Sequence, residues 1–350
     1  MKSEKLHLQL FSLLCGALFL LTANLAPARA FDGADNFAIL PNGASGPEGL
    51  TVGPDNNIYV TTYGYTASGP AAAPGKLYVF NTHGTLLRQV SVSGSTANLL
   101  GLAFHPTTHA LLIIDSGASK VLKVNPTTGA ATTFMTVTGA AGLNALTFDS
   151  SGNVYVSDSF QGIIWKTGPS GGAGTAWVTD PLLTTTGVPP FGANGLGFNK
   201  AQNTLFVANT GNDTIVQIPV TAGTPGTPSV FVNSINGADG LILDEHDNLW
   251  ICANQNDQIV VIDKTGKLIA RFGHFDGVDH NGVPHGLLFP ASLAFGNDGH
   301  GGRTLYVTNL ALDLRLFGLV QTPDSQWAAM VKRYTVSRLD TGFLSSHPHH

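Results

Sequence analysis

A short pattern recurs six times along the chain: a variable residue, a small residue, then Leu in most copies. The copies are EGLTV from Glu48, LGLAF from Leu100, NALTF from Asn144, NGLGF from Asn194, DGLIL from Asp239 and ASLAF from Ala291. The variable position is where chemistry is available, because Glu48, Asn144, Asn194 and Asp239 all carry side-chain oxygens. Strand propensity does not ask for them, since Asn and Asp are depleted in strands. Turn capping at strand starts is the ordinary explanation. Capping predicts scatter, however, whereas the polar residues fall in one register in four of six copies, and Glu is a poor turn residue. Brought together, two carboxylates and two amides form a hard-oxygen site of charge −2. Such a set suits Ca²⁺ better than zinc or copper, which favour His and Cys. Waters or a substrate oxygen would complete its ligands.

A second group lies in residues 273–290, GHFDGVDHNGVPHGLLFP, which hold His274, His280 and His285. A histidine titrates near neutrality and can serve as general acid or base. His285 stands nearest the sixth copy of the repeat and is the candidate; a solvated loop histidine is the plainer reading of each. DGVDHNG does not meet the EF-hand spacing. There is no P-loop or CxxC, so nucleotide and disulfide chemistry lack support.

These residues need elements to bring them together. Successive variable positions are 52, 44, 50, 45 and 52 residues apart, a period that suits four-stranded propeller blades. Each copy continues into a polar turn (GPDNN, HPTTH, DSSGN, NKAQN, DEHDN, GNDGHGG) and a second strand (IYVTT, LLIID, VYVSD, LFVAN, LWICA, LYVTN). Third strands follow, then fourth strands in the first five copies. The sixth copy stops after its third strand, RYTVS, while an orphan apolar segment, Phe37, Ala38, Ile39 and Leu40, precedes the first. The sequence therefore predicts an all-β, six-bladed β-propeller over residues 31–339, with that N-terminal strand completing the last blade and leaving no large exposed edge. Residues 340–350, with His347, His349 and His350, read as a polar, flexible tail. The long connections, residues 63–75, 180–193, 273–290 and 310–332, all join second to third strands or fourth to first. In an up-and-down blade both kinds emerge on one face, where function usually lives, and the variable position opens the innermost strand on that face.

The stretches PEGLTVGPDNNIYV, NALTFDSSGNVYVSD, NGLGFNKAQNTLFVAN and DGLILDEHDNLWICAN resemble the gluconolactonase/regucalcin (SMP-30) family of propellers. The resemblance spans roughly residues 37–339. It implies one catalytic calcium on the channel axis, held by Glu48, Asn144, Asn194 and Asp239, which match the family's ligands in order and blade. It implies a hydrolase of the lactonase or esterase type acting on a small-molecule lactone or ester, with the ion polarising the substrate carbonyl. Asp239 would be a ligand and the nucleophile or base, Glu48 would fix the ion, and the two asparagines would supply neutral oxygens. Leu100 replaces a histidine found in related paraoxonases, and Ala291 is inert. IYVTT, VYVSD and LYVTN equally resemble NHL-repeat propellers, which implies as the alternative a non-catalytic module binding a peptide, glycan or protein. A strictosidine-synthase-like enzyme, without need of calcium, is a third reading.

The start of the chain bears on its compartment. Lys2 and Lys5, an apolar stretch over residues 10–25 and Ala28-Arg29-Ala30 form the pattern of a secretory signal peptide, residues 1–30, cleaved after Ala30. This predicts a periplasmic or secreted protein with no membrane span in the mature chain. Removing residues 1–30 takes Lys2, Lys5, Arg29 and Glu4 with it and leaves 14 basic against 21 acidic residues, a net −7. That disfavours nucleic acid and anionic membranes as partners. Cys252 is then the one remaining cysteine, inside the apolar run LWICAN, and reads as a buried structural thiol.

Overall fold

In the computed structural model, residues 33–66, 69–296 and 304–342 are described. Residues 1–30 and the tail histidines His347, His349 and His350 lie outside them.

Strand formation follows the turns. In blade one, Asp55 closes the first turn by accepting from the Asn57 backbone and side-chain amides, and its Oδ2 also accepts from the Tyr59 hydroxyl at 2.9 Å. Asp149 with Asn153 and Tyr155, and Asp244 with Asn248 and Trp250, repeat the arrangement. The turn carboxylate thus fixes both the hairpin and the first aromatic ring of the second strand. Those rings meet the inner-strand phenylalanine of the next blade edge-on: Tyr59 with Phe104, Tyr155 with Phe198 and Trp250 with Phe295, at 5.0–5.3 Å between centroids. Six apolar clusters of this kind form the core, largely between adjacent blades.

The result is six blades of antiparallel strands in up-and-down order, the second gaining a short parallel edge segment, Gly172–Ala173. Their inner strands are Pro47–Val52, Leu99–Phe104, Leu143–Phe148, Ala193–Phe198, Ala238–Leu243 and Pro290–Phe295. Each lies beside the next, and the sixth lies beside the first, so the ring closes as a six-bladed β-propeller. The last blade is completed from the other end of the chain. Asp35–Ile39 pairs antiparallel with Thr335–Asp340, in the register Asp35↔Arg338 to Ile39↔Thr335. The N-terminal closure read from the sequence is thus found, two residues earlier than the apolar segment suggested. The sixth blade's third strand begins at Thr335 rather than Arg333. Among the described residues no helix is long and apolar enough to cross a membrane.

The long connections have structure of their own. Residues 63–75 hold a small hairpin, Tyr65–Thr66 with Gly69–Pro70. Residues 180–193 begin with a 3₁₀ turn, Pro181–Leu183, capped by Asp180, which accepts from the Leu182 amide. Residues 273–290 form the hairpin Phe275–Val278 with Pro284–Gly286. Residues 310–332 contain a 3₁₀ turn, Leu314–Phe317, and a short helix, Pro323–Ala328, capped by Thr322.

Candidate functional site

All six inner strands break register at the same place. The pairing slips between Pro47 and Leu50, Leu99 and Leu102, Leu143 and Leu146, Ala193 and Leu196, Ala238 and Leu241, and Pro290 and Leu293. The variable residue and its small successor are the two residues of each bulge, and a bulge re-aims a side chain. The small successor is required by the close approach of blades. A Cβ on Gly49 would collide with the carbonyl oxygen of Leu100, and one on Gly240 with that of Ala291, each being the variable residue of the next blade.

The structure brings Glu48, Asn144, Asn194 and Asp239 to one small cavity at the channel mouth. Each is only 4–6% exposed. Tyr63, Thr210, Asn254 and Leu310 join them, with Pro189, Phe191 and Leu312. Sequence reasoning passed over all of these, although four carried a signal. Tyr63, Thr210, Asn254 and Leu310 share one repeat position, immediately after the VTT, VAN, ICA and VTN ends of the second strands. Two repeat positions therefore line the cavity.

The polar members of the second set brace the ring. Thr210 Oγ1 donates to the Ala238 carbonyl at 2.8 Å and Asn254 Nδ2 to the Pro290 carbonyl at 3.1 Å, each tying a blade to the next bulge. Asn254 Nδ2 also donates to Asp239 Oδ2 at 3.0 Å, and Asn194 Nδ2 donates to Thr210 Oγ1 at 3.0 Å.

Two other buried carboxylates among the described residues, Asp158 and Asp115, are well engaged. Asp158 accepts from the Gly142, Phe160 and Gln161 amides and from the side chains of Gln161 and Trp165. Asp115 accepts from the Thr96 amide and hydroxyl and faces Lys120 at 3.5 Å. Among the described residues, Glu48 Oε2 and Asp239 Oδ1 are the only buried carboxylate oxygens without a hydrogen-bond partner. Burial, and then the Asp239 charge, hold the Glu48 carboxyl well above the usual range. Burial raises Asp239 likewise, with the Asn194 amide opposing. Two desolvated carboxylates facing one cavity are a conflict that a hard cation removes. Among the described residues no three His, Cys, Asp or Glu side chains gather as a metal site; the oxygens beyond the two carboxylates come from amides. The residues present thus fit an oxygen-bound cation.

His285 does not line this cavity. It projects half-exposed from the hairpin in residues 273–290, with Nε2 3.6 Å from Asp279 Oδ2, and His274 pairs with Asp276 at 2.8 Å on the same hairpin. Cys252 is fully buried, as its apolar run implied, and burial pushes its thiol pKa well up.

Fold and site together define a six-bladed propeller with a buried, oxygen-lined cavity on its axis. Residues 141–311 match the SMP-30/Gluconolactonase/LRE-like region, which bears out the family resemblance drawn from the repeat motifs. Among solved structures, a luciferin-regenerating enzyme is 15% identical with a TM-score of 0.63, covering 90% of this chain and 97% of its own. A calcium-binding protein, regucalcin from Agrobacterium tumefaciens, is 16% identical with a TM-score of 0.60, covering 91% and 98%. A gluconolactonase from Xanthomonas campestris is 16% identical with a TM-score of 0.59, covering 81% and 93%. A sequence search of curated proteins found no match.

Proposed function

We propose that this protein is an exported, calcium-dependent hydrolase of the lactonase or esterase type. The observation that carries the reading is the pair of unpartnered, buried carboxylate oxygens, Glu48 Oε2 and Asp239 Oδ1, facing one cavity with two amides. Glu48, Asn144, Asn194 and Asp239 would hold the ion. When bound, calcium supplies a Lewis acid for the substrate carbonyl. The chain's own residues supply the rest. Asn144 and Asn194 contribute oxygens without charge, which keeps the site from repelling an anionic transition state. Asn254 orients the Asp239 carboxylate through Oδ2, and Asp239 accepts the proton of the attacking water. Tyr63, Phe191, Leu310 and Leu312 exclude bulk water from above. His285, which stands outside the cavity, has no part in this mechanism. The similarity to a gluconolactonase and to a calcium-binding regucalcin supports the reading at the level of the family.

Calorimetric titration of calcium into chelator-stripped protein, followed by a panel of lactones, tests it. One ion per chain, a higher melting temperature and lactone hydrolysis are expected. A chain that takes up no calcium, and whose melting and activity ignore chelators, sinks the reading and leaves the non-catalytic NHL-type binding module in its place. Export rests on residues 1–30 alone. Mass spectrometry of the protein from its native host should find an N-terminus at Phe31; a retained Met1 would refute it.

A further inference from the structure

We infer that the axial site accepts a ligand with an apolar substituent, so that among lactones and esters it selects alkyl- or aryl-substituted ones over polyhydroxylated sugar lactones. The inference rests on the hydrolase reading above and specifies its substrate class.

The cavity has a polar floor and an apolar cover. The cover is Tyr63, Pro189, Phe191, Leu310 and Leu312, and the only charged side chains lining the cavity are Glu48 and Asp239. Its volume is about 20 Å³, room for about one water molecule. A lactone ring therefore enters by displacing the cover, which then lies directly on whatever the ring carries. Most of the floor's donors are already committed, the Asn144 amide being the exception. Asn194 Nδ2 serves Thr210, the Thr210 hydroxyl serves the Ala238 carbonyl, and Asn254 Nδ2 serves Asp239 and the Pro290 carbonyl. Sugar hydroxyls in this position would face Phe191, Pro189 and the two leucines, with the Tyr63 hydroxyl as the cover's one polar group, which is costly. An alkyl chain in the same place loses nothing and buries its surface.

The cover continues outward as an apolar track. Tyr63 meets Phe191 edge-on at 6.4 Å and Phe317 at 5.7 Å, and Phe191 stacks on Phe160 at 5.9 Å. Phe160 is 57% exposed, so aromatic surface runs from the cavity to solvent. The other large exposed hydrophobic side chains divide between the connections of this same face and the outermost strands of the blades. The track gives a substituent somewhere to go.

The test uses binding and turnover side by side, on the purified protein with calcium present. Binding is read calorimetrically with ligands that cannot be hydrolysed: 2-alkylcyclopentanones from ethyl to hexyl, and 1,5-anhydroglucitol as the sugar probe. Affinity should rise by up to about fourfold per buried methylene, and anhydroglucitol should fail to compete. In turnover, kcat/KM should climb along a series of γ-alkyl lactones and exceed that for glucono-lactone. Phe191→Ala should reduce the gain per methylene towards one in both measurements. Affinity independent of chain length, or anhydroglucitol binding as tightly as the hexyl ketone, overturns the inference whatever the turnover. Alkyl ketones bound with the expected gradient, but no lactone or ester hydrolysed, would support the apolar site and sink the hydrolase reading instead.

Discussion

Glu48 and Asp239 are the only carboxylates among the described residues with a fully buried oxygen that nothing donates to. Their cost without a cation is legible as a pH dependence. Both carboxyls are held above their ordinary values, so the folded chain keeps protons that the unfolded chain has already released. Stability conferred this way is full below the ordinary carboxylate pKa of about 4 and is lost as pH rises through the raised values. Chelator-treated protein should therefore melt at a lower temperature at pH 8 than at pH 5, and saturating calcium should reduce that difference. A thermal-melt series with and without chelator measures it. Asp239→Asn removes one of the two charges while keeping the shape. It should leave the fold intact, abolish the calcium-dependent rise in melting temperature and lower lactone kcat/KM by at least about 10³-fold, the scale on which loss of a catalytic group is felt.

At the scale of elements, the bulge and its small residue set the spacing of the ring. Gly49→Ala would press a methyl group into the Leu100 carbonyl. Overpacking of that kind costs about 1–3 kcal/mol, read as a lower midpoint in urea without loss of the calcium-binding stoichiometry. A second element-scale effect lies where blade five meets the insertion of blade six. Asp257 accepts from the Phe289 amide at 2.8 Å, and burial, opposed by that bond and aided by the Asp324 charge, pushes its carboxyl up to about 7. Its contribution is present at pH 4 and is lost as pH rises towards 7. Asp257→Asn, which keeps the acceptor and suits the left-handed backbone there at φ 52, should leave melting unchanged at pH 4 and raise it by about 3 °C at pH 8. An increase of equal size at both pH values would show that charge burial is not the cause.

For the molecule as a whole, closure is the decisive event. Asp35–Ile39 covers the edge of Thr335–Asp340, and Ala38 and Leu40 lie in the core cluster between the last blade and the first. Deleting residues 33–40 should therefore expose a sheet edge and loosen the inner-strand ring on which the axial site depends. Lower solubility, a broadened melt and weaker calcium binding are the expected results. Retention of a sharp, calcium-dependent melt would show that the ring closes without this strand.

The repeat and its consequences were legible in the residues themselves. Strand alternation, turn Asp and Asn residues and a period near fifty define blades because they act locally, and the missing fourth strand of the last copy pointed to closure from the N-terminus. The four oxygen-bearing residues were visible because symmetry converts a sequence register into a place in space. What lies over them was not. Pro189, Phe191 and Leu312 come from irregular connections, which follow no period, and their position depends on packing between loops far apart in the chain. His285 illustrates the same limit from the other side. Closeness in sequence to the sixth inner strand suggested the channel mouth, but the hairpin pairing of Phe275–Val278 with Pro284–Gly286 holds it half-exposed beside Asp279. The sequence determined a ring of six blades and the residues on its axis, since both follow from repetition. Only the tertiary structure decided which carboxylate oxygens are left without donors and what covers them, since hydrogen-bond satisfaction and burial are settled by neighbours from other blades.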